Sequence, residues 1–461
     1  MTIITRFAPS PTGHLHVGNI RQVVHNWLFA RANRGQFMLR IDDTDSVRSE
    51  ERYVDAIRSD LAWLGLVPDA EVRQSARFAL YEEVFERLVA TGQLYPCFET
   101  ADELDIRRKI LLSRGLPPVY ERTALALSAE DRAAKAAAGH KPHWRFRLDH
   151  SSPICWADMV RGPQNFDPSL LSDPVVRRAD GSWLYMLPSV IDDADLRISH
   201  VIRGEDHVSN TATQLQMFAA IGATMPIFAH TALLTGAEGK LSKRLGSLGV
   251  EHFREIGIEP QALIAKLARL GTADPVEPFV DVQPLVASFD FARFGRAPAR
   301  FDEAELTHLN ARIIHQLPFT QVADRLPPSM NDAGWNAIRP NLETVAQAHD
   351  WWRVVTGPID QVTADEADRD FLLAAAAQAD AIDWASDPWH ALTSALKDAM
   401  GRKGKALFLP LRLALTGRGH GPDMAALLPL IGKAAAIERL VSAAGGWPWS
   451  TTGGQSRSTT G

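Results

Sequence analysis

Residues 2 to 8 form a β-branched, apolar run that predicts a buried strand. After a Pro/Gly turn, apolar positions fall at Ile20, Val23, Val24, Trp27 and Leu28. That spacing predicts a helix with Asn19 as its N-cap and Gly35 as its stop. Gln36 to Asp42 then reads as a second strand with Phe37, Leu39 and Ile41 on one face. A strand–helix–strand unit of this kind predicts a parallel sheet, whose ligands bind at the carboxyl ends of its strands. Ser49 to Gly92 is helix-rich, and residues 96–180, with charged helices and short strand candidates such as His143 to Leu148, read as an inserted module. Trp183 to Ile191 and His200 to Gly204 read as strands, and Thr211 to Gly222 as a helix with Leu215, Phe218 and Ala219 on one side. Pro/Gly breaks near 271–278 and 295–298 interrupt a mostly helical stretch, and from about residue 311 the pattern is that of an all-α bundle. Ala374 to Ala377 is an alanine run inside a helix, and Ser450 to Gly461 is a Ser/Thr/Gly-rich tail expected to fray.

Composition narrows this picture only a little. The chain has 461 residues, 46% of them apolar, enough for several domains with real cores. A formal charge of -6 argues against coating nucleic acid by bulk charge, but leaves room for a local basic face. The two cysteines, Cys97 and Cys155, form neither a disulfide framework nor a four-cysteine zinc site, which fits a reducing compartment. No apolar run approaches the length of a membrane span, and the N-terminus has no signal-type apolar stretch, so a soluble cytoplasmic protein is expected.

The chemistry concentrates in two short segments. Pro9-Ser-Pro-Thr-Gly-His-Leu-His-Val-Gly-Asn19 places His14 and His16 at the ligand edge of the first strand–helix unit. A helix starting near Asn19 would offer N–H groups and a positive dipole end to an anion, with Gly13 and Gly18 clearing room for a ligand. Lys240-Leu-Ser-Lys-Arg244, flanked by Gly236, Gly239 and Gly246, puts Lys240, Lys243, Arg244 and the Ser242 hydroxyl within reach of a triphosphate. Each segment alone is ambiguous: the first could be an ordinary turn with exposed histidines, the second a solvated basic loop. The chain contains neither a Walker-type phosphate loop nor a Gly-x-Gly-x-x-Gly fingerprint, so the pair reads as a split phosphate site.

Together they resemble the HIGH and KMSKS signatures of class I aminoacyl-tRNA synthetases. Arg6-Phe-Ala-Pro-Ser-Pro-Thr-Gly13, Leu39-Arg-Ile-Asp-Asp-Thr-Asp45, Val201-Ile-Arg-Gly-Glu-Asp206 and Lys240-Leu-Ser-Lys-Arg244 resemble the bacterial glutamyl-tRNA synthetase pattern, in order. Lys403-Gly-Lys405 and Leu411-Arg-Leu-Ala-Leu-Thr-Gly417 resemble that family's C-terminal anticodon-binding cage. The resemblance implies an α/β fold: a parallel-sheet, Rossmann-like catalytic domain with an inserted α/β module, then an all-α anticodon-binding domain. The expected divisions are a catalytic first half at 1–95, an acceptor-binding module at 96–180, and a catalytic second half at 181–235. The KMSKS loop and stem-contact region follows at 236–310, then the helical domain at 311–449 and a tail at 450–461.

The implied reaction converts glutamate and ATP, with Mg2+, to glutamyl-adenylate and pyrophosphate, then moves the glutamyl group to the terminal ribose of tRNA-Glu. His16, Lys240 and Lys243 are the catalytic candidates, with Lys243 foremost. ATP would meet His14, His16, Gly18, Asn19, Lys240, Ser242, Lys243, Arg244, Asp206 and His207, the last two standing where some members have Glu-Trp. By similarity the glutamate side-chain carboxylate falls to Arg6 and Arg203, with Tyr185 donating a hydroxyl, and the α-amino end to Ser10 and Asp42. Arg6 could instead pair Asp42 or Asp43, and Tyr185 could be a core residue. Asp42 replaces the family's usual Glu and is one methylene shorter. Cys97 stands alone where zinc-bearing members cluster cysteines, so no structural zinc is expected.

Between Gly401 and His420 there are five Lys/Arg and no Asp/Glu. Of these, Arg402, Lys403, Lys405 and Arg412 are the expected tRNA contacts, making binding salt-dependent. Asn341 aligns with the position at which discriminating members test the last anticodon base with an arginine, so charging of tRNA-Gln with glutamate stays open. Trp351 and Trp352 read more readily as core than as stacking platforms. A shortened relative acting on another tRNA's modified base, a non-catalytic RNA-binding paralogue and a small-molecule nucleotidyltransferase are the competing readings. The helical end disfavours the first and the last, and the presence of His16, Lys243 and Arg203 the second. A monomer is expected.

Overall fold

The computed structural model describes residues 2–236, 248–360 and 362–445. They divide into two compact units, Met1–Leu306 and Thr307–Gly461.

The first unit opens with β1 (Ile4–Phe7), α1 (Val17–Ala32) and β2 (Gln36–Ile41), and β1 and β2 pair in parallel as the pattern predicts. Phe37, Leu39 and Ile41 are fully buried, and so is Arg40 on the opposite face; a strand covered on both sides reads as a nearly unbroken buried run. The helix starts three residues earlier than predicted. His16 is its N-cap, and Asn19, at the third helical position, closes a capping box by accepting from the His16 backbone N–H at 3.2 Å. Gly35 closes the helix end, its N–H donating to the Ala30 carbonyl at 2.7 Å, and also serves the return into β2: a Cβ there would lie 2.3 Å from the Ile3 carbonyl oxygen.

After α2 (Glu51–Leu64), the edge strand β3 (Ala70–Arg73) pairs in parallel with β2. Its partly exposed residues gave no apolar signal. Beyond α3 (Phe78–Ala90), the segment 94–177 builds two structures. β4 (Leu94–Cys97), β5 (His143–Phe146) and β8 (Val175–Arg177) make an antiparallel sheet, with α4 (Ala101–Ser113) and α5 (Ala129–Ala137) between β4 and β5. The hairpin β6 (Ile154–Asp158) and β7 (Gly162–Phe166) instead joins the catalytic sheet.

The expected strand at Trp183 to Ile191 is a helix, α6 (Met186–Asp195). Leu187, Val190 and Ile191 fall at helical spacing and are buried, and Pro188 sits in the first turn, where it breaks no hydrogen bond. Next come β9 (His200–Gly204), α7 (Val208–Ala220) and β10 (Ile227–Thr231), with β10 between β9 and β6 and parallel to both. β9 lies beside β1, the Ser199 N–H donating to the Ile4 carbonyl at 3.0 Å. From β1 the chain adds strands in one direction through β2 and β3. From β9 it adds them in the other, so the β1–β9 boundary is a switch point of the kind that forms ligand crevices. α8 (Val250–Glu255), α9 (Pro260–Arg269) and α10 (Gln283–Ser288) complete the unit, α9 almost wholly buried.

The division falls within α11 (Glu303–Ile314). The second unit is helical as predicted: α12 (Asp332–Ile338), α13 (Gln347–Thr356), α14 (Glu366–Ala381), α15 (Pro388–Met400), α16 (Lys405–Thr416), α17 (Met424–Ile431) and α18 (Lys433–Ala443). Trp335, Trp351 and Trp352 are core residues, and Trp352 donates its indole N–H to Ser329 at 2.8 Å. The tail from 446 lies outside the described residues.

Candidate active site

A cavity of about 670 Å³ opens at the switch point between β1 and β9. Its lining includes Arg6, Ser10, His14, His16, Gly18, Asn19, Asp42, Tyr185, Arg203, Asp206 and His207, every first-unit candidate among the described residues. Lys240, Ser242, Lys243 and Arg244 lie outside the described residues. The segments on either side of them meet this crevice: Leu233 and Leu234 line it, and the Leu248 carbonyl accepts from the Val17 N–H at 2.9 Å.

At the ATP side the start of α1 differs from expectation. His16 Nδ1 accepts from the Gly18 N–H at 3.1 Å and, as the capping side chain, from the N–H of Asn19. With Val17 bonded to Leu248, the helix start has its N–H groups engaged rather than free for an anion. The same bonds fix the imidazole. A ring nitrogen that accepts carries no proton, so Nε2 bears the hydrogen, and burial, which lowers the His16 pKa, keeps the ring neutral. His16 is thus a neutral, pre-aimed N–H donor. His14 packs edge-on against Tyr53, ring centroids 5.3 Å apart.

On the opposite wall, buried charges are matched with one exception. Arg6 pairs with neither Asp42 nor Asp43 but with Asp193 on α6, at 3.1 and 3.3 Å. Arg40 donates to the same carboxylate at 2.8 Å and to both oxygens of Asp42 at 2.7 and 3.1 Å. Burial raises Asp193, but the charges of Arg6 and Arg40 outweigh it and hold the carboxyl below its ordinary value. Burial pushes Asp42 up to about 6, only partly offset by Arg40. Its neighbour Asp192, also buried, accepts from Gln74, Arg77 and Tyr81 at 2.6 to 2.8 Å.

Arg203 is the exception. Its Nε donates to His230 Nε2 at 3.3 Å, and its Nη2 donates to Thr211 Oγ1 at 2.6 Å and Gln214 Oε1 at 2.7 Å. All three acceptors are neutral when His230 is neutral, and among the described residues no carboxylate pairs with Arg203 and no group bonds Nη1. Burial, then the nearby positive charge of Arg6, lowers its pKa to about 10, so it remains cationic at neutral pH. Across from it, the Tyr185 hydroxyl accepts from the Asn210 amide, which also meets His207 Nδ1 at 3.1 Å. Burial raises the Tyr185 pKa and lowers that of His207, so both are uncharged at neutral pH.

Asp193, Arg40, Asp158 and His230 were not among the expected site residues. Reading 187, 190 and 191 as a helical face would have put Asp193 beside the first strand; nothing local marks Asp158 and His230, which are 72 residues apart.

Away from the cavity, Cys97, Glu99 and His143 bring three ligand-type atoms within 4.8 Å of one another. Glu99 Oε1 accepts from Tyr120 at 2.7 Å and Thr123 at 2.6 Å, whereas Glu99 Oε2 and His143 Nε2 are buried without a hydrogen-bond partner. Burial pushes the Cys97 thiol up to about 12.

In the second unit Lys403 and Lys405 are exposed, as is Asn341. The other two basic candidates are committed within the fold. Arg402 pairs with Asp368, donates to the Ala367 carbonyl at 2.7 Å and lies over Phe371, while Arg412 donates to the Pro422 carbonyl at 3.0 Å.

Residues 2–308 match the family described as tRNA synthetases class I (E and Q), catalytic domain, and residues 336–444 match the family described as Anticodon binding domain. A glutamate–tRNA ligase of Sphingopyxis alaskensis is 67% identical over 445 residues, covering 96% of this chain and 100% of the relative. One from Novosphingobium aromaticivorans is 64% identical, covering 95% and 100%. A solved glutamate tRNA ligase from Elizabethkingia meningosepticum, in complex with its amino acid, superposes with a TM-score of 0.83 at 26% identity, covering 96% of this chain and 99% of that one. The chain therefore belongs to the class I tRNA synthetases of the E and Q branch, with that branch's catalytic domain followed by a helical anticodon-binding domain.

Proposed function

We propose that this protein is a glutamate–tRNA ligase in which Arg203 receives the substrate's side-chain carboxylate. The observation that carries the reading is a part-buried, cationic guanidinium with a free Nη1 and no carboxylate of its own among the described residues, on a wall where Arg6 and Arg40 are already paired. Arg21, also without a carboxylate, is turned instead to the Ala232 and Leu270 carbonyls. An anion entering there completes the charge balance; a neutral glutamine amide leaves the cation unmatched. Arg6, shared with Asp193, adds a second positive charge to the same wall, and Tyr185 a hydroxyl. Ser10 and Asp42 suit the α-ammonium group.

Glutamate attacks the α-phosphorus of ATP, and pyrophosphate leaves. His16 Nε2–H and Lys243 stabilise the charge passing to pyrophosphate, with His14, Lys240, Ser242 and Arg244 along the triphosphate and Gly18, Asn19, Asp206 and His207 around the nucleotide. Mg2+, bound together with ATP, would neutralise part of that charge. In the helical unit, Lys403 and Lys405 meet tRNA phosphates, above a surface shaped by Arg402 and Arg412. The protein acts as a cytoplasmic monomer in this reading. Among the described residues no helix is long and apolar enough to cross a membrane.

Aminoacylation of purified tRNA-Glu with labelled glutamate tests the assignment, and failure to charge it defeats the assignment. Exposed, neutral Asn341 favours a second reading in which tRNA-Gln is charged as well. Glutamate attached to purified tRNA-Gln supports that reading, and no product above the no-enzyme control removes it.

The protein needs no zinc in this reading. A structural zinc site closes with four ligands, usually including more than one thiolate, whereas the cluster among the described residues brings together three ligand-type groups with a single thiol, and one Glu99 oxygen is committed to two hydroxyls. Purified protein is expected to carry well under about 0.2 equivalents of zinc against the full equivalent of a closed site. One equivalent that disappears in Cys97→Ser would show the opposite.

A further inference from the structure

Behind Arg203 stands a hydrogen-bonded chain that reaches into the β6–β7 hairpin at the edge of the catalytic sheet beyond β10. Asp158 ends β6, and His230 lies on the neighbouring β10, both side chains fully buried. Asp158 Oδ1 accepts from the backbone N–H groups of Val160 at 3.0 Å, Arg161 at 2.9 Å and His230 at 3.2 Å. Its Oδ2 faces His230 Nδ1 at 2.5 Å. A carboxylate held by three N–H groups is an acceptor, so Nδ1 must be the donor and carry the imidazole proton. In the neutral ring Nε2 is then a bare acceptor, and it receives Arg203 Nε–H at 3.3 Å and the Thr211 hydroxyl at 2.9 Å. Thr211 Oγ1 in turn accepts from Arg203 Nη2.

We infer that Asp158 and His230 are positioning residues for glutamate specificity: Asp158 fixes the His230 tautomer, and His230 Nε2 with Thr211 turns the Arg203 fork so that Nη1 faces the amino-acid site. This rests on the reading of Arg203 as the carboxylate receptor. The design supplies three acceptors to Arg203 without placing a carboxylate against it. A direct Asp–Arg203 pair would orient the fork equally well, but would neutralise the charge the substrate has to find. The Asp158 charge is instead placed behind the imidazole, where it sets proton position.

The chain makes a specific, non-additive prediction. In Asp158→Asn the amide can donate to Nδ1, which moves the ring proton to Nε2 and sets N–H against N–H at Arg203. The KM for glutamate is expected to rise about tenfold or more, with the KM for ATP changed less than about twofold, since only the contact to Arg203 is lost. His230→Gln, whose carbonyl can accept from Arg203 without help from Asp158, is expected to stay within about threefold of wild type, and His230→Leu to behave like Asp158→Asn. Asp158→Asn added to His230→Gln should then cost little more. Should Asp158→Asn fold poorly, the Gln and Leu variants of His230 carry the contrast.

A glutamate KM unchanged in Asp158→Asn and in His230→Leu would overturn the inference. A parallel rise in the KM for ATP would overturn it too, as would an undiminished Asp158→Asn effect in the His230→Gln background. Arg203→Ala separates the two levels. If it leaves the glutamate KM unchanged, the reading of Arg203 itself fails; if it raises that KM while the Asp158 and His230 variants do not, only the positioning chain fails.

Discussion

Arg203→Ala is expected to lower kcat/KM for glutamate by about a hundredfold or more, the 2–5 kcal/mol typical of truncating one member of a buried, hydrogen-bonded charge pair. The loss should fall on glutamate rather than ATP, because Arg203 bonds only His230, Thr211 and Gln214 among the described residues and its remaining nitrogen has no partner. Glutamine should respond differently. Its amide gains nothing from the cation and no longer faces an unmatched charge, so the preference for glutamate over glutamine should shrink towards parity. Steady-state aminoacylation with each amino acid checks both effects, and a variant that keeps the wild-type preference would remove Arg203 from the specificity site.

Lys243→Ala is expected to abolish aminoacylation while leaving tRNA binding nearly intact. Catalysis of such a displacement is largely electrostatic. The His16 ring accepts at Nδ1 and is neutral, so in the proposed mechanism it would offer the leaving pyrophosphate a hydrogen bond but no full charge. In the proposed mechanism Lys243 supplies a full positive charge beside that of Mg2+. Loss of one such group costs on the order of a hundredfold to a thousandfold in kcat by the usual magnitude for a pre-aimed charge stabiliser. Pyrophosphate exchange with tRNA present separates adenylate formation from transfer, and near-normal exchange in the variant would contradict the role.

How far the sequence disclosed this site depended on whether each signal was local. The strand–helix–strand start was legible because Ile20, Val23, Val24, Trp27 and Leu28 hold helical spacing and β2 is an unbroken buried run. The helix start was misplaced because a histidine, not one of the common capping residues, takes the cap, so the motif's own ring consumes the N–H groups that had been assigned to phosphate. α6 was misread because a short apolar run such as Trp183 to Ile191 fits a strand or a buried helix equally well. That one error hid Asp193, and with it the partner that keeps Arg6 from Asp42. Asp158 and His230 were beyond reach for another reason. Their meeting depends on β6 leaving the inserted segment to pair with β10, a long-range choice with no trace in local periodicity. In the helical unit, the charge count around 401–420 found the basic stretch but could not tell exposed Lys403 and Lys405 from Arg402, whose charge Asp368 already matches.

Glutamate-dependent ATP–pyrophosphate exchange in the presence of tRNA-Glu, run beside an otherwise identical reaction with glutamine, tests whether this site selects glutamate. Robust exchange is expected with glutamate, little with glutamine, and loss of the glutamate signal in Arg203→Ala. Equal exchange with the two amino acids, or exchange that does not depend on glutamate, would contradict that selection.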